Sequence, residues 1–256
     1  MKTIYYYQTF KGLDKCFTHP QDIDNIIISS IHFGNNNIYL NDNLPDDKIF
    51  YDLWTQTEKL SYQNTTIMIM VGGAGGAYTE MFKNFDHYYQ LLKNLINKKS
   101  WIKGIDLDIE EPVDIDNIKL LINHLVQDFG EDFIITMAPV SSTLIHDGSS
   151  FAGFNYKDLY NSKEGKYIHW FNTQCYYSFS FETFESIIKN NYPSHKIVIG
   201  MESGQFNESD FNNALKELKK IKNKYPDFKG VYDWEYFNAP PNNNDPSEWS
   251  RLIKSI

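Results

Sequence analysis

Short runs of apolar and β-branched residues recur along the chain, and the stretches between them carry apolar residues at helical spacing. This alternation is typical of a parallel sheet covered by helices. The runs that we interpret as strands are Thr3–Phe10, Ile26–Phe33, Thr66–Val71, Gly104–Ile109, Phe133–Ala138, Trp170–Tyr176, Lys196–Met201 and Gly230–Trp234. Eight strands can close a barrel, so we predict an α/β fold of the (β/α)8 TIM barrel class, although a doubly wound open sheet would alternate similarly.

The predicted helices carry their apolar residues on one stripe, which can pack on the sheet. Such stripes are Ile118, Leu121, Ile122 and Leu125; Phe211, Leu215, Leu218 and Ile221 in a helix over Glu208–Lys222; and Trp249, Leu252, Ile253 and Ile256 in a last helix from Pro246. The Asn-rich segments Asn35–Asn37 and Asn242–Asn244 are expected to be exposed loops, because amide side chains bond to the backbone of turns.

Length and composition fit one large domain. A chain of 256 residues with 41% hydrophobic residues is sufficient for one barrel over residues 1–256, and a second domain of ordinary size would not fit beside it. Aromatic residues make up 16% of the chain, and aromatic rings suit the faces of sugars. The formal net charge of -9 argues against a nucleic-acid partner. We expect a neutral substrate and a monomer.

Neither the N-terminus nor the cysteines indicate a special environment. Residues 1–8 lack the apolar run of a signal peptide, and no stretch is long enough to span a bilayer, so we expect no membrane partner and leave the compartment open. Cys16 and Cys175 lie far apart and show no metal-binding or disulfide spacing. We interpret both as buried or free thiols.

Three carboxylates alternate with aliphatic residues in the fourth predicted strand, Gly104-Ile105-Asp106-Leu107-Asp108-Ile109-Glu110. Because strand side chains alternate between faces, Asp106, Asp108 and Glu110 share one face. In a barrel that face is the interior, and the row climbs to the C-terminal mouth, where active sites of this fold lie. Buried carboxylates about 7 Å apart along a strand repel one another. At least one should therefore keep its proton at neutral pH, and that proton can be donated.

Other interpretations of these motifs stay open. The acids could be solvated on an exposed edge strand, or they could bind a hard metal cation, although no histidine adjoins them to complete a transition-metal site. We expect no metal and no cofactor. Gly72, Gly73, Gly75 and Gly76 superficially suggest a phosphate loop, but no Lys-Ser/Thr pair follows them. Close backbone packing at a strand end explains them better.

The run from Gly104 to Glu110 resembles the DGxDxDxE signature that ends the fourth barrel strand of family-18 glycoside hydrolases. Further resemblances follow in order over nearly the whole chain: Val71-Gly72-Gly73 to the SxGG motif of strand three, Met137-Ala138-Pro139 to a strand-five segment, Gln174-Cys175-Tyr176 to the strand-six QxY, and Trp234 to the tryptophan that ends strand eight. Compact members of the family, such as the plant hevamine-type chitinases, are most similar.

The resemblance implies substrate-assisted hydrolysis, a recognised exception to the two-carboxylate scheme. Glu110 would protonate the glycosidic oxygen while the substrate's own 2-acetamido carbonyl attacks the anomeric carbon. Asp108 would orient the acetamide N–H with Asp106 behind it, and Tyr176 would hold the acetamide oxygen. These four are the predicted catalytic residues.

The predicted substrate-binding residues are Trp234, which would floor the central subsite, and Gln174, Met137, Gly73 and Tyr6. Without the motifs, Tyr176 and Trp234 would be ordinary core aromatics. His32 ends the second predicted strand, and we interpret it as a structural histidine rather than a ligand contact.

Three positions depart from the family pattern. Lys103 stands in place of the first aspartate of the signature, Met70 in place of the SxGG serine, and Tyr177 where many members have Asp or Asn. All three are expected to lie behind or beside the acids, so that their change would alter the pKa values of the acids more than the geometry of the substrate.

The resemblance implies retaining endo-hydrolysis of β-1,4-linked N-acetylglucosamine polymers. An endo-β-N-acetylglucosaminidase acting on N-glycan cores, and a sugar-binding protein without catalysis, are the alternatives. Members that lack catalysis have lost the acid that Glu110 represents. Larger chitinases insert a small α+β domain between strands seven and eight. The short span between Met201 and Gly230 leaves no room for it, so we predict an open groove.

Overall fold

The computed structural model describes residues 1–149 and 151–256. The strands of this part are β1 (Lys2–Tyr7), β2 (Asn25–Gly34), β3 (Asn37–Leu40), β4 (Thr66–Gly72), β5 (Ile102–Asp108), β6 (Ile134–Met137), β7 (Ile168–Gln174), β8 (Ile197–Glu202) and β9 (Gly230–Trp234). Its α-helices are α1 (Tyr51–Ser61), α2 (Tyr78–Lys83), α3 (Phe85–Lys98), α4 (Ile115–Phe129), α5 (Ser141–Ile145), α6 (Tyr156–Asn161), α7 (Phe181–Lys189), α8 (Glu208–Lys224) and α9 (Ser247–Lys254).

The parallel strands close into a barrel. Their order is β1-β2-β4-β5-β6-β7-β8-β9, and β9 returns to pair with β1, with Lys2 opposite Gly230 and Tyr5 opposite Asp233. A doubly wound sheet would leave its first and last strands unpaired along one edge. The closure therefore confirms the (β/α)8 TIM barrel and excludes the open alternative.

The strand β3 lies outside the barrel and pairs antiparallel with the end of β2. The turn between them consists of Asn35 and Asn36, both with positive φ, of 48° and 58°. Two consecutive residues with positive φ are what a type I′ hairpin turn requires, and asparagine tolerates them. The predicted Asn-rich loop is therefore a tight turn, and Asn37, expected in that loop, begins β3.

Alternation along the strands separates two apolar cores. The side chains that fill the barrel interior are Ile4, Tyr6, Ile27, Met68, Met70, Trp170, Val198 and Tyr232, and a larger core lies between the strands and the helices. Gly200 belongs to the interior because a Cβ there would stand 2.0 Å from Cζ of Tyr232. The large ring on β9 fills the space that the glycine on β8 leaves.

The helices bury the predicted stripes. All four stripe residues of α4 are buried, and Asp114 accepts the N–H of Asp116 at its N-cap at 2.8 Å. In α8, Phe211, Leu218 and Ile221 are buried, and the helix continues to Lys224, two residues beyond the predicted end. Residues 203–229 contain this one α-helix and short turns, so the α+β insertion is absent.

The two cysteines are buried free thiols, and burial raises the pKa of each to about 12. Both are therefore protonated and unreactive at neutral pH. Among the described residues, no helix combines the length and apolar character needed to cross a bilayer.

Candidate active site

The carboxylate row lies where β5 enters the mouth of the barrel. Asp106 is fully buried, Asp108 keeps 6% of its surface exposed, and Glu110 is exposed beyond the last residue of the strand. The local cause is the alternation of β5, because Ile105 and Leu107 point into the core between strands and helices. The three acids thus form a gradient from buried to accessible.

Asp106 receives hydrogen bonds from three other strands. Tyr6 donates at 2.7 Å from β1, Thr136 at 2.5 Å from β6, and Asn172 at 2.9 Å from β7. Burial raises the pKa of Asp106, and these three donors oppose the shift by stabilising the carboxylate. A carboxyl group with so many fixed donors is rigid.

Asp108 has a different environment. Its Oδ1 accepts one hydrogen bond, at 3.1 Å, from the Gln174 amide, whose nitrogen also donates to the carbonyl of Ala138 at 2.9 Å. Burial raises the pKa of Asp108 well above its ordinary value, and the charges of Glu110 and Asp106 raise it further. The direction of this shift favours the protonated form of Asp108, which is the form predicted for at least one member of the row.

The glycine turn after β4 packs against the same strand end. Gly72 and Gly73 have φ of +98° and +79°, and Gly73 N–H donates to the Asp108 carbonyl at 2.9 Å. A Cβ on Gly72 would stand 2.1 Å from that carbonyl oxygen, and one on Gly73 would stand 3.4 Å from Asp108 Oδ2. Close backbone packing, as predicted, explains this glycine pair.

Glu111 fixes the turn from the other side. Its carboxylate accepts the N–H groups of Ala77, Tyr78 and Thr79 at 2.5, 2.6 and 3.1 Å. Burial acts to raise the pKa of Glu111, but these hydrogen bonds prevail and lower it. The neighbour of the exposed Glu110 is therefore an ionised acid with a structural function.

Aromatic side chains complete the mouth. The ring centroid of Tyr6 lies 5.3 Å from that of Trp234 and 4.9 Å from that of Tyr232. Tyr232 also donates a hydrogen bond to the Tyr176 hydroxyl at 3.2 Å. Trp234 and Tyr176 are partly exposed, whereas Tyr6 and Tyr232 are buried. The buried pair supports the accessible pair.

This arrangement can be compared with known proteins. The model of the glycosyl hydrolases family 18 matches residues 2–251. The chain belongs to this family. Its members act on chitin or on other glycans that contain N-acetylglucosamine, and the protein is a glycoside hydrolase. A search of curated proteins finds no match.

Two solved family 18 structures are similar along their whole length. A fungal endo-β-N-acetylglucosaminidase is 30% identical with a TM-score of 0.87, over 99% of this chain and 96% of that one. The chitinase ChiC from Aspergillus fumigatus is 28% identical with a TM-score of 0.86, over 99% and 98%. A chitinase from Pseudoalteromonas aurantia, 17% identical with a TM-score of 0.77 over 100% and 99%, shares the fold.

The structure brings together all the predicted site residues of this family 18 member except Met137. Thr136 points inward to Asp106, so Met137, the next residue of β6, points outward and lies fully buried in the core beneath the helices. It cannot contact a ligand at the mouth. The motif is present, but the side chain of its first residue, Met137, points away from the barrel interior.

The three departures from the family pattern have different consequences. Lys103 is exposed near the start of β5 and donates to the Ser100 carbonyl at 2.7 Å, so its expected place beneath the row is wrong. Met70 is buried inside the barrel, where its Cε would lie 2.9 Å from a Cβ on Gly73. Tyr177 is 89% exposed. Only Met70 therefore adjoins the acids from below.

His32 has the contacts of a structural histidine. Its ring nitrogens bond to the Ser30 hydroxyl and to the Gly76 carbonyl, each at 2.7 Å. Both nitrogens are occupied within the fold. The histidine thereby ties β2 to the glycine turn that packs on Asp108.

Sequence reasoning missed several residues of the site. Thr136 and Asn172 bind Asp106, and Glu202 is a fourth carboxylate at the mouth. The alternation argument used for β5 would have found Asn172, two residues before Gln174, and Glu202, at the end of its strand. Glu111 carried no comparable signal, because its partners are backbone groups of a distant turn.

Proposed function

We propose that the protein cleaves β-1,4-linked N-acetylglucosamine polymers at internal bonds, with retention of the anomeric configuration and with the substrate's acetamide as nucleophile. The observation that carries this proposal is the row Asp106, Asp108 and Glu110, buried at one end and accessible at the other. An accessible acid beside a buried one whose pKa is raised suits a mechanism that needs one proton donor and no enzyme nucleophile.

In this proposal Glu110 donates its proton to the glycosidic oxygen, which leaves as an alcohol while the acetamide oxygen bonds to the anomeric carbon. Water then attacks that carbon, and the Glu110 carboxylate takes the proton of the water. Asp108 accepts the acetamide N–H, and the positive charge that develops on the acetamide strengthens this hydrogen bond. Tyr176 donates to the acetamide oxygen, and Trp234 supports the sugar face.

The alternative substrate is the chitobiose core of an N-glycan. It is favoured by the 30% identity to the fungal endo-β-N-acetylglucosaminidase, against 28% for the Aspergillus fumigatus chitinase. The chemistry at the cleaved bond is the same for both substrates. A sugar-binding function without catalysis is disfavoured because Glu110 is present at the accessible end of the row.

The test is incubation with N-acetylglucosamine oligomers and, in parallel, with a high-mannose glycoprotein, followed by mass analysis. We expect shortened oligomers, with fully deacetylated oligomers inert and the first product retained in configuration by NMR. Release of the glycan alone would establish the alternative. First-formed inverted product, or cleavage of deacetylated oligomers, would contradict acetamide participation.

A further inference from the structure

Glu202 brings a fourth carboxylate to the mouth of the barrel. On β8, Val198 and Gly200 face the interior, and Met201 faces outward, where its sulfur accepts from the Trp249 indole at 3.4 Å. Glu202 is the next inward position. It pairs in register with Trp234 on β9, so the carboxylate and the accessible indole are neighbours at the rim.

A glutamine links this carboxylate to the loop after β7. The Gln205 amide nitrogen donates to Glu202, and its oxygen accepts the Tyr177 backbone N–H at 2.6 Å. Both ends of the amide are therefore used. The chain of contacts runs from β8 to the residue that directly follows Tyr176.

Tyr177 combines an unusual backbone conformation with an exposed side chain. Its φ is +57°, in the left-handed region, and its side chain is 89% exposed. The left-handed conformation is unfavourable for a residue with a Cβ, and an exposed ring contributes no burial in return. An outlier in φ that a glutamine fixes beside the mouth is a reason to look for a function of the ring that it exposes.

We propose that Glu202, Gln205 and Tyr177 form a further sugar-binding subsite that recognises the length of the polymer; the proposal rests on the function proposed above. The Tyr177 ring stacks on the apolar face of a sugar beyond the one over Trp234. Oε1 of Glu202, which has no hydrogen bond among the described residues, accepts hydrogen bonds from sugar hydroxyls, and the carboxylate charge strengthens them. Gln205 is a positioning residue. A neutral pyranose chain fits this subsite, whereas the carboxylate repels an anionic one.

The decisive variant is Tyr177→Asn, because asparagine tolerates the left-handed conformation and removes only the ring. We expect the ratio of kcat/KM on the N-acetylglucosamine hexamer to that on the trimer to fall about tenfold, as the loss of one aromatic contact would give. Tyr177→Phe should retain the ratio. Tyr62→Asn, at a tyrosine that directly follows α1 and is 76% exposed, is the matched control.

Gln205→Ala tests positioning with the ring still present. We expect a higher KM on the hexamer with kcat unchanged, and a melting temperature within experimental error of the wild type, since the glutamine binds two surface groups. Equal ratios for wild type and Tyr177→Asn would overturn the subsite. If the wild type cleaves neither oligomers nor glycoprotein, the proposed function fails. Binding of the hexamer, measured by calorimetry, then tests the subsite separately. Weaker binding by Tyr177→Asn than by wild type would support the subsite, and equal binding would overturn it.

Discussion

The phenol of Tyr6 donates a 2.7 Å hydrogen bond to Oδ2 of Asp106 and so joins β1 to β5 across the barrel interior. Thr136 and Asn172 donate to the other oxygen, so both oxygens of the buried Asp106 are already hydrogen-bonded within the protein. Asp108 has one side-chain donor and can accept a further hydrogen bond from a substrate. The two aspartates of the row therefore differ in function because their donors differ.

The first prediction concerns stability and pH. An acid with a raised pKa in the folded state favours folding when protonated, and it opposes folding as the pH rises above about 4, its ordinary pKa. Asp108→Asn removes this penalty. The variant should therefore become more stable than wild type as the pH rises. The difference in the free energy of unfolding should grow between about pH 4 and the pKa of Asp108 in the folded state.

Urea denaturation between pH 4 and pH 8 measures this difference, with Asp132→Asn at an exposed position as the control. A difference between Asp108→Asn and wild type that stays constant with pH would show that Asp108 is ionised in the free protein.

The second prediction concerns the acid at the accessible end. Glu110→Gln keeps the shape of an exposed side chain, so the melting temperature should be unchanged. Hydrolysis should fall by about 10²–10⁴, the usual cost of losing a general acid. Glu131→Gln, at another exposed glutamate, should be fully active. A folded Glu110→Gln protein with wild-type turnover would refute the assigned row.

The third prediction concerns Lys103. Because its ammonium group is exposed and bonds to the Ser100 carbonyl, its field at the acids is screened by solvent. Lys103→Asp should leave both limbs of the pH–rate profile in place. An alkaline limb that moves upward in this variant would show that the charge acts on the row despite the distance in the fold.

The fourth prediction compares two glycines with positive φ. A Cβ on Gly130 (φ +84°) would meet no atom of the described residues within 4 Å, whereas one on Gly72 (φ +98°) would stand 2.1 Å from the Asp108 carbonyl oxygen. Gly130→Ala should cost only the backbone strain, roughly 1–3 kcal/mol for a φ of +84° with a ψ of 170°. Gly72→Ala adds a clash with backbone and should destabilise far more, measured by urea denaturation. Equal losses would mean that the turn moves freely away from β5.

Much of the fold followed from local patterns. Strand alternation is a property of each chain segment, so the shared face of Asp106, Asp108 and Glu110 was predictable without a structure. The choice of Tyr6 came from the resemblance to the family instead. The partners of Asp106 were not, because they depend on how β1, β6 and β7 align with β5. That alignment includes register shifts between β4 and β5 and between β6 and β7, which no local pattern reports.

The errors have a similar origin. Met137 was assigned to the substrate by its motif, yet alternation within β6 turns it away once Thr136 is known to face Asp106. Lys103 was placed with the acids although it lies at odd spacing from them. The hydrogen-bonded contacts from Glu202 through Gln205 to Tyr177 depend on loop conformation, above all on the positive φ of Tyr177. Tyrosine has no preference for positive φ, so the sequence did not indicate this conformation.

The fifth prediction concerns how the polymer is cut. Between the end of β8 at Glu202 and the start of β9 at Gly230, the chain forms α8 and short turns, so no added domain builds a wall over the groove. A groove open at both ends lets a polymer bind at any point along its length, and the product can leave without sliding.

A long soluble N-acetylglucosamine polymer should therefore give mixed intermediate lengths from the first time points, analysed by mass. Removal of the Tyr177 ring should shift this ladder without making the enzyme processive. Near-exclusive release of disaccharide from the start would show instead that other loops enclose the polymer.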